Sequence, residues 1–311
     1  VVLTENKARL IRYSGGSRTQ RTPILLLPSM VNRHTIFDLT PNNSVARGLL
    51  AAGFDVFLLD WGRPCREDRM VPADEFVAGT IHRAPRAVAV AARADAITLV
   101  GYCMGGTLAL VYAALHPEKV RNLVLLATPV DFDKLGRLRM LADRESLDVD
   151  AVVGALGNPP PKALSYAFGL LVPTWQVRQW HIFFRHAHDD RFYRQFAAVG
   201  RWVGDNVEVP AEAFRSFVRD GFQKNSLVNG GWPVAGRAAR LGDVRASILN
   251  VVAKKDHIIL PEASLGLPAR VGSRDAEDRV FDCGHVGLSI GAEARPIVWP
   301  AIVEWLRARS A

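Results

Sequence analysis

The sequence predicts an α/β architecture: a mostly parallel central sheet with helices on both faces and an inserted, mostly helical cap. Three observations carry that expectation. Short, nearly continuous apolar runs alternate with helical patterns over residues 1–130 and 243–311, as expected of strands buried on both faces and joined by helical crossovers. Residues 96–110, A-I-T-L-V-G-Y-C-M-G-G-T-L-A-L, pass from a strand-like run into a helix-like one across a glycine-rich turn. Between residues 131 and 242 the strand-like runs vanish and aromatic residues accumulate, over a stretch too long for a plain loop.

In chain order, residues 6–13 read as an early, partly exposed strand and 14–22 as a turn. Ile24 to Leu27, bounded by Pro23 and Pro28, form a strand buried on both faces, followed by a loop over 29–33. Asn42, Asn43 and Ser44 offer N-caps for a helix that runs through Leu50 and stops at Gly53. Residues 55–59 form a strand ending in Asp60-Trp61-Gly62, and 72–93 a helix that Pro85 must kink or divide. The helix after the glycine-rich turn ends near His116-Pro117, and 121–127 is the next strand. The cap, 131–242, is broken by Asn158-Pro159-Pro160-Pro161. Its aromatics, among them Trp175, Trp180, Phe183, Phe184, Phe192, Tyr193, Phe196 and Trp202, are expected mostly to form its own core. Strands return at 247–253 and 279–282, and 297–309 closes the chain as an amphipathic helix.

A hydrophobic fraction of 49% and a charged fraction of 23% fit a globular protein. No apolar run reaches the roughly 18 residues of a membrane span. The first seven residues lack a signal-peptide layout, and Val1 is not an initiator, so an upstream segment is expected. Three unpatterned cysteines, Cys65, Cys103 and Cys283, suit neither a disulfide framework nor a zinc site; a reducing, cytoplasmic setting is expected. The net charge of +8 is spread from Arg9 to Arg309 without a basic block. No helix-turn-helix, RNA-binding or zinc-finger pattern accompanies it, so nucleic acid is not an expected partner. The charge is an arginine-rich surface or an attraction for a phosphate-bearing thioester such as a coenzyme A conjugate. Without a P-loop, dinucleotide fingerprint or metal-ligand spacing, no bound cofactor or metal is expected.

Gly101-Tyr102-Cys103-Met104-Gly105 fits the nucleophile elbow G-x-S-x-G with cysteine in place of serine. The bland alternative is a glycine-rich turn with an inert buried cysteine. The later chain favours chemistry, because an α/β-hydrolase places nucleophile, acid and histidine in that order. Cys103, Asp256 and His285 fall in that order, the last two just past late strands. Asp282, three residues from His285, competes for the acid's role. His285 would take the thiol's proton and Asp256 would hold the imidazole. The oxyanion hole is expected from the N–H groups of Met104 and Val31.

The elbow G-Y-C-M-G-G resembles the lipase-like box of polyhydroxyalkanoate synthases. So do V-N-R-x5-D-L-x4-N-S (31–44), D-W-G-R-P (60–64), H-P-E-K-V-x-N-L-V (116–124), T-P-V-D-F (128–132), F-x-K-N-x-L-V (222–228), K-D-H-I (255–258) and G-H-V-G-L (284–288). The resemblance covers nearly the whole chain and is nearest the short catalytic subunits of two-component synthases. It implies the same triad, with His257 as an active-site neighbour and Asn225 as a substrate contact. It also implies a (3R)-hydroxyacyl-CoA substrate, a homodimer, a second helical subunit and a polyester granule surface. Tyr102 and Met104 depart from the residues most expected in the short synthases. The other readings are a hydrolase on the same frame (esterase, thioesterase or dienelactone-hydrolase-like) and a silent binding subunit. Cys103→Ala and His285→Ala are expected to abolish CoA release from a hydroxyacyl-CoA, whereas Cys65→Ala and Cys283→Ala retain it. Thiol-reagent titration of released CoA checks this, and equal loss at Cys283 would remove Cys103 from the nucleophile's role.

Overall fold

The apolar runs become the interior strands of one sheet. A computed structural model describes residues 1–72, 74–171 and 175–310; the side chains of 175–179, 182 and 191 lie outside the description, Trp175 among them. In chain order the strands are β1 (Leu3–Glu5), β2 (Ala8–Arg12), β3 (Ile24–Leu27), β4 (Asp38–Thr40), β5 (Asn43–Ser44), β6 (Val56–Asp60), β7 (Ile97–Tyr102), β8 (Val120–Leu126), β9 (Trp232–Val234), β10 (Arg237–Ala239), β11 (Ser247–Ala253) and β12 (Ala276–Phe281). Eight of them form one sheet in the order β1-β2-β6-β3-β7-β8-β11-β12. The β1–β2 and β2–β6 pairs are antiparallel and every pair from β6 to β12 is parallel. The pairs β4–β5 and β9–β10 are separate antiparallel ribbons.

Alternate residues of each strand feed two cores, as the two-residue repeat requires. Leu25, Leu27, Leu99, Leu123 and Leu125 pack on one face with α2 (His82–Ala92) and α3 (Met104–Leu115). Ile24, Leu26, Val100, Val124 and Leu249 pack on the other with α1 (Val45–Ala51) and α12 (Trp299–Arg307). Ser44 caps α1, its Oγ accepting the Arg47 N–H at 3.0 Å. All twelve residues of α3 are buried, which explains a sequence apolar on every side. Pro85 does not divide its helix. It sits in the first turn of α2, directly after a π-helical segment, Glu75–Ile81, whose wider turn makes room for the ring and the missing N–H.

Between β8 and β11 run α4 (Arg137–Leu141), α5 (Val149–Leu156), α6 (Pro161–Leu171), α7 (Trp175–His186), α8 (Asp190–Gly204) and α9 (Ala211–Ser216), then a π-helical turn, Phe217–Gln223. After them come the β9–β10 ribbon and, beyond β11, the short helices α10 (Pro261–Ser264) and α11 (Gly287–Ile290). Two expectations need adjustment. The end of the inserted segment is not separate from the sheet: Trp232, Val234, Ala239 and Leu241 pack into the core that contains α3. The inserted aromatics meet one another, Phe183 packing against Trp180, Phe184, Tyr193 and Phe196. Phe217, Phe222 and Trp232 surround Phe132, but Trp180, Phe184 and Tyr193 are exposed. The last strand also begins earlier than predicted, because Glu277, Asp278 and Arg279 disguise an edge strand.

Gly105 lies where α3 meets the end of β3: a Cβ there would strike the carbonyl oxygens of Leu27 and Pro28. Gly105→Ala is therefore expected to lower the unfolding free energy by about 2 kcal/mol or more. Gly154→Ala, in an exposed turn of α5 with open space around it, is expected to raise it by about 0.5–1 kcal/mol. Urea unfolding of the two variants checks both signs.

Candidate active site

Strand β7 ends at Tyr102, α3 begins at Met104, and Cys103 alone makes the turn between them, with φ 54° and ψ −124°. A non-glycine residue held in such a region carries strain of about 1–3 kcal/mol. Its neighbours impose it. The Cys103 N–H donates to Leu126 O at 2.9 Å, and its carbonyl accepts from the N–H groups of Gly106 (2.9 Å) and Thr107 (3.3 Å). A side chain at Gly101 would strike the backbone of Gly105 and Gly106 and push strand and helix apart, and one at Gly106 would strike Thr128. Cys103 is partly exposed beside the N-terminus of α3.

His285 lies just past β12 and is 7% exposed. Its Nδ1 is 2.7 Å from Asp256 Oδ2, and it also hydrogen-bonds the Cys103 side chain. Asp256, just past β11, is buried, and its Oδ1 accepts the N–H groups of Ile258 (2.8 Å) and Ile259 (2.9 Å). Those bonds aim the other carboxylate oxygen at the imidazole. Burial alone would lower the pKa of His285. The charges of Asp256 and Cys103, with the hydrogen bonds to both, outweigh it and push the value up to about 10. The Tyr102 ring lies 5.1 Å from the imidazole and its hydroxyl donates to His285 O at 3.4 Å.

Asp282 points elsewhere. Its side chain is 65% exposed and pairs with Lys255 at 2.9 Å, which holds its carboxyl below the usual range. Cys283 is buried, and burial pushes its thiol up to about 11. Cys65 Sγ accepts from Lys7 Nζ at 2.9 Å.

The Met104 N–H opens α3 and has no intrahelical acceptor. The Val31 N–H donates to Ser29 Oγ at 3.3 Å. The loop carrying Val31 is pinned by the D-W-G motif: Trp61 Nε1 donates to Pro28 O at 3.0 Å, and Asp60 Oδ1 lies 2.9 Å from His34 Nδ1. Asp60 is fully buried; hydrogen bonds from His34 and Arg9 overcome the effect of burial and hold its carboxyl well below the usual range. The sequence displayed this motif, but not the contact between strand β6 and the Val31 loop. His257 is half-buried beside Asp256 in the same turn. Asn225, at φ 48° and 2% exposed, accepts the Phe132 N–H at 3.0 Å and donates to Asp131 (2.8 Å) and Asp133 (2.9 Å). Its amide thus ties the end of the inserted helices to the loop after β8. A narrow slot beside Met104 is lined by Met30, Phe76, Leu108 and Phe217 together with Asp74 and Ser216. Among the described residues, no group of three or more His, Cys, Asp or Glu is arranged to hold a metal, and no helix is long and apolar enough to cross a membrane.

The sheet and its elbow define an α/β-hydrolase fold, and residues 22–161 match the family model for the alpha/beta hydrolase fold. Solved structures share the architecture. A lipase-esterase related protein from Clostridium acetobutylicum superposes with a TM-score of 0.56 and 16% identity, over 97% of this chain and 99% of that one. A thermophilic esterase from Thermogutta terrifontis gives 0.58 and 16%, over 98% and 94%. At such identity the fold alone is shared. The poly(3-hydroxyalkanoate) polymerase subunit PhaC of Allochromatium vinosum is 36% identical over 99% of this chain and 88% of its own. That of Haloferax mediterranei is 37% identical over 100% of this chain, which spans 64% of the haloarchaeal protein's length. The chain belongs to the poly(3-hydroxyalkanoate) polymerase PhaC family, enzymes of the α/β-hydrolase superfamily.

The raised value of His285 means the folded protein holds that proton more tightly than the unfolded chain. Its stabilisation is complete below the ordinary value of 6.5 and is lost as pH rises through about 10. Asp256→Asn is expected to lower the His285 midpoint in an NMR titration and to narrow its stability deficit against wild type across that alkaline window. Asp282→Asn should leave the midpoint in place; the reverse pattern would make Asp282 the imidazole's partner.

Proposed function

We propose that this chain is a polyhydroxyalkanoate polymerase that joins (3R)-hydroxyacyl units from CoA thioesters into polyester, with release of CoA. Cys103 is the nucleophile, His285 the base and proton carrier, and Asp256 the group that orients and stabilises the imidazolium. The Cys103 thiolate attacks the thioester carbonyl, and the oxyanion is received by the N–H groups of Met104 and Val31. CoA leaves with the proton from His285, and the acyl group remains a thioester on sulfur. Acylation removes the negative charge and hydrogen bond that Cys103 offered the imidazole, so His285 holds a proton less tightly. It is then a competent base for the 3-hydroxyl of a second hydroxyacyl-CoA. That oxygen attacks the acyl-cysteine, an ester forms, Cys103 departs as thiolate with the proton on His285, and the extended CoA thioester acylates Cys103 again.

Support comes from the chain of contacts Cys103–His285–Asp256 at a strained elbow, in a member of this family. His257 stands beside the acid as a neighbour of the reacting groups. The engaged amide of Asn225 favours a holding role over direct contact with substrate. A homodimer, a second helical subunit and a granule surface follow from the family resemblance, and a cytoplasmic setting from the three unpatterned cysteines. Incubation with 3-hydroxybutyryl-CoA tests the reading: CoA release accompanied by sedimentable polymer is expected. CoA release with only free 3-hydroxybutyrate would assign the same residues to a hydrolase.

A further inference from the structure

The loop that carries Val31 is gripped from the inserted segment, residue by residue. Just past α8, Asn206 forms an antiparallel bridge with Asn32, and its Oδ1 accepts from Asn32 Nδ2. The Val207 N–H donates to Val31 O at 3.0 Å. Trp202 Nε1 donates to Arg33 O at 2.9 Å, and the Trp202 ring, 6% exposed, packs into the core that holds Phe37 and Tyr102. Asn206 is itself held, its Nδ2 donating to Ser165 Oγ on α6 at 2.6 Å. Arg63 and Asp205 add an ion pair at 2.7 Å, but both are largely exposed and it contributes little.

We infer that Trp202 and Asn206 are positioning residues for acyl transfer, acting through the direction of the Val31 N–H. The inference rests on Val31 serving as an oxyanion donor. The Val31 N–H lies between two anchored carbonyls, Pro28 O, held by Trp61, and Val31 O, held by Val207, and the bonds at Asn32 and Arg33 O keep the second anchor in place. Among the described residues that N–H donates to Ser29 Oγ, at a long 3.3 Å, and an oxyanion is the stronger acceptor. An oxyanion donor works only within a few tenths of an ångström of its place, and misplacement by about 1 Å can cost about a hundredfold in rate. Moving the 202–207 segment off the loop would therefore open the site and disable the donor in one motion. Acyl transfer would be confined to the state in which the inserted segment is docked.

Two reactions of Cys103 separate this role from a merely structural one. Acylation by p-nitrophenyl butyrate, read as a burst of nitrophenolate, needs the oxyanion donors; alkylation by iodoacetamide does not. In the full chain, Asn206→Ala and Trp202→Phe (which keeps an aromatic ring and removes the donor) are expected to slow the burst about tenfold to a hundredfold. Alkylation should stay within about twofold. Asn32→Ala combined with Asn206→Ala should be no slower than Asn206→Ala alone, because the two residues share one contact. An unchanged burst, or a parallel fall of burst and alkylation, would overturn the inference. A wild-type protein that is alkylated yet gives no burst would instead overturn the acyl-transfer reading, and this inference with it.

Discussion

The backbone rotation at Cys103 is the constraint from which the site follows. A strand in the middle of a parallel sheet must give way to a helix buried on every side, and a single residue is available for the turn. The rotation costs about 1–3 kcal/mol in isolation. It persists because the residue's own N–H and C=O are both bonded and the glycines on either side admit no alternative spacing. The same close packing locates the thiol relative to its surroundings. Gly105 sits against the carbonyls of Leu27 and Pro28, so the start of α3 and the loop after β3 cannot move independently. The sulfur and the first residue of the Val31 loop are thus held to one another through backbone.

Burying a carboxylate is unfavourable unless its lone pairs and charge are answered. Two buried aspartates here solve that problem differently. Asp60 is answered by Arg9, His34 and the Gly62 N–H, and its charge fixes a loop. Asp256 is answered by two backbone amides and one imidazole. With no arginine or lysine among those bonds, its charge acts on His285 and on that group's hold on its proton. A carboxylate neutralised by a guanidinium, as Asp60 is, would leave the imidazole with a weaker claim. This difference in partners, more than burial itself, marks Asp256 as the acid of the proposed triad.

The elbow and the order of the three groups were legible in the sequence because they depend on local pattern: a β-branched run, a glycine-flanked cysteine, and strand ends late in the chain. The choice between Asp256 and Asp282 was not. Both follow strands, and β11 and β12 end side by side, with Ala253 paired to Phe281. What separates them is that the turn after β11 folds Asp256 inward over its own amides while Asp282 emerges beside Lys255. The individual places of the aromatic residues of α7 and α8 were hidden for a related reason. Composition alone cannot tell a ring that closes a core, such as Trp202, from one left in solvent, such as Phe184. Asn225 was recognised as unusual, but its three bonds to residues 131–133 join parts of the chain more than ninety positions apart.

On the proposed mechanism, polymer growth asks something of this frame that ester hydrolysis does not: the acyl group on Cys103 would have to wait for a hydroxyl and be protected from water meanwhile. A thioester keeps the carbonyl activated during the wait, so exclusion of water, rather than a further activating group, separates chain extension from hydrolysis. The triad cannot supply that exclusion, since the same three groups would activate either nucleophile. The surroundings must. On one side of the elbow, Phe217 and Phe76 border the narrow slot at Met104. On another, Trp202 and Val207 bind the backbone of the Val31 loop. The inserted segment therefore meets the site twice, through Phe217 at the slot and through Trp202 and Val207 at the loop that the proposed mechanism gives to the oxyanion. A segment that touched only the first would act as a cover. By holding the second as well, it would, on the proposed mechanism, make the reactive geometry depend on the same contacts that cover the site.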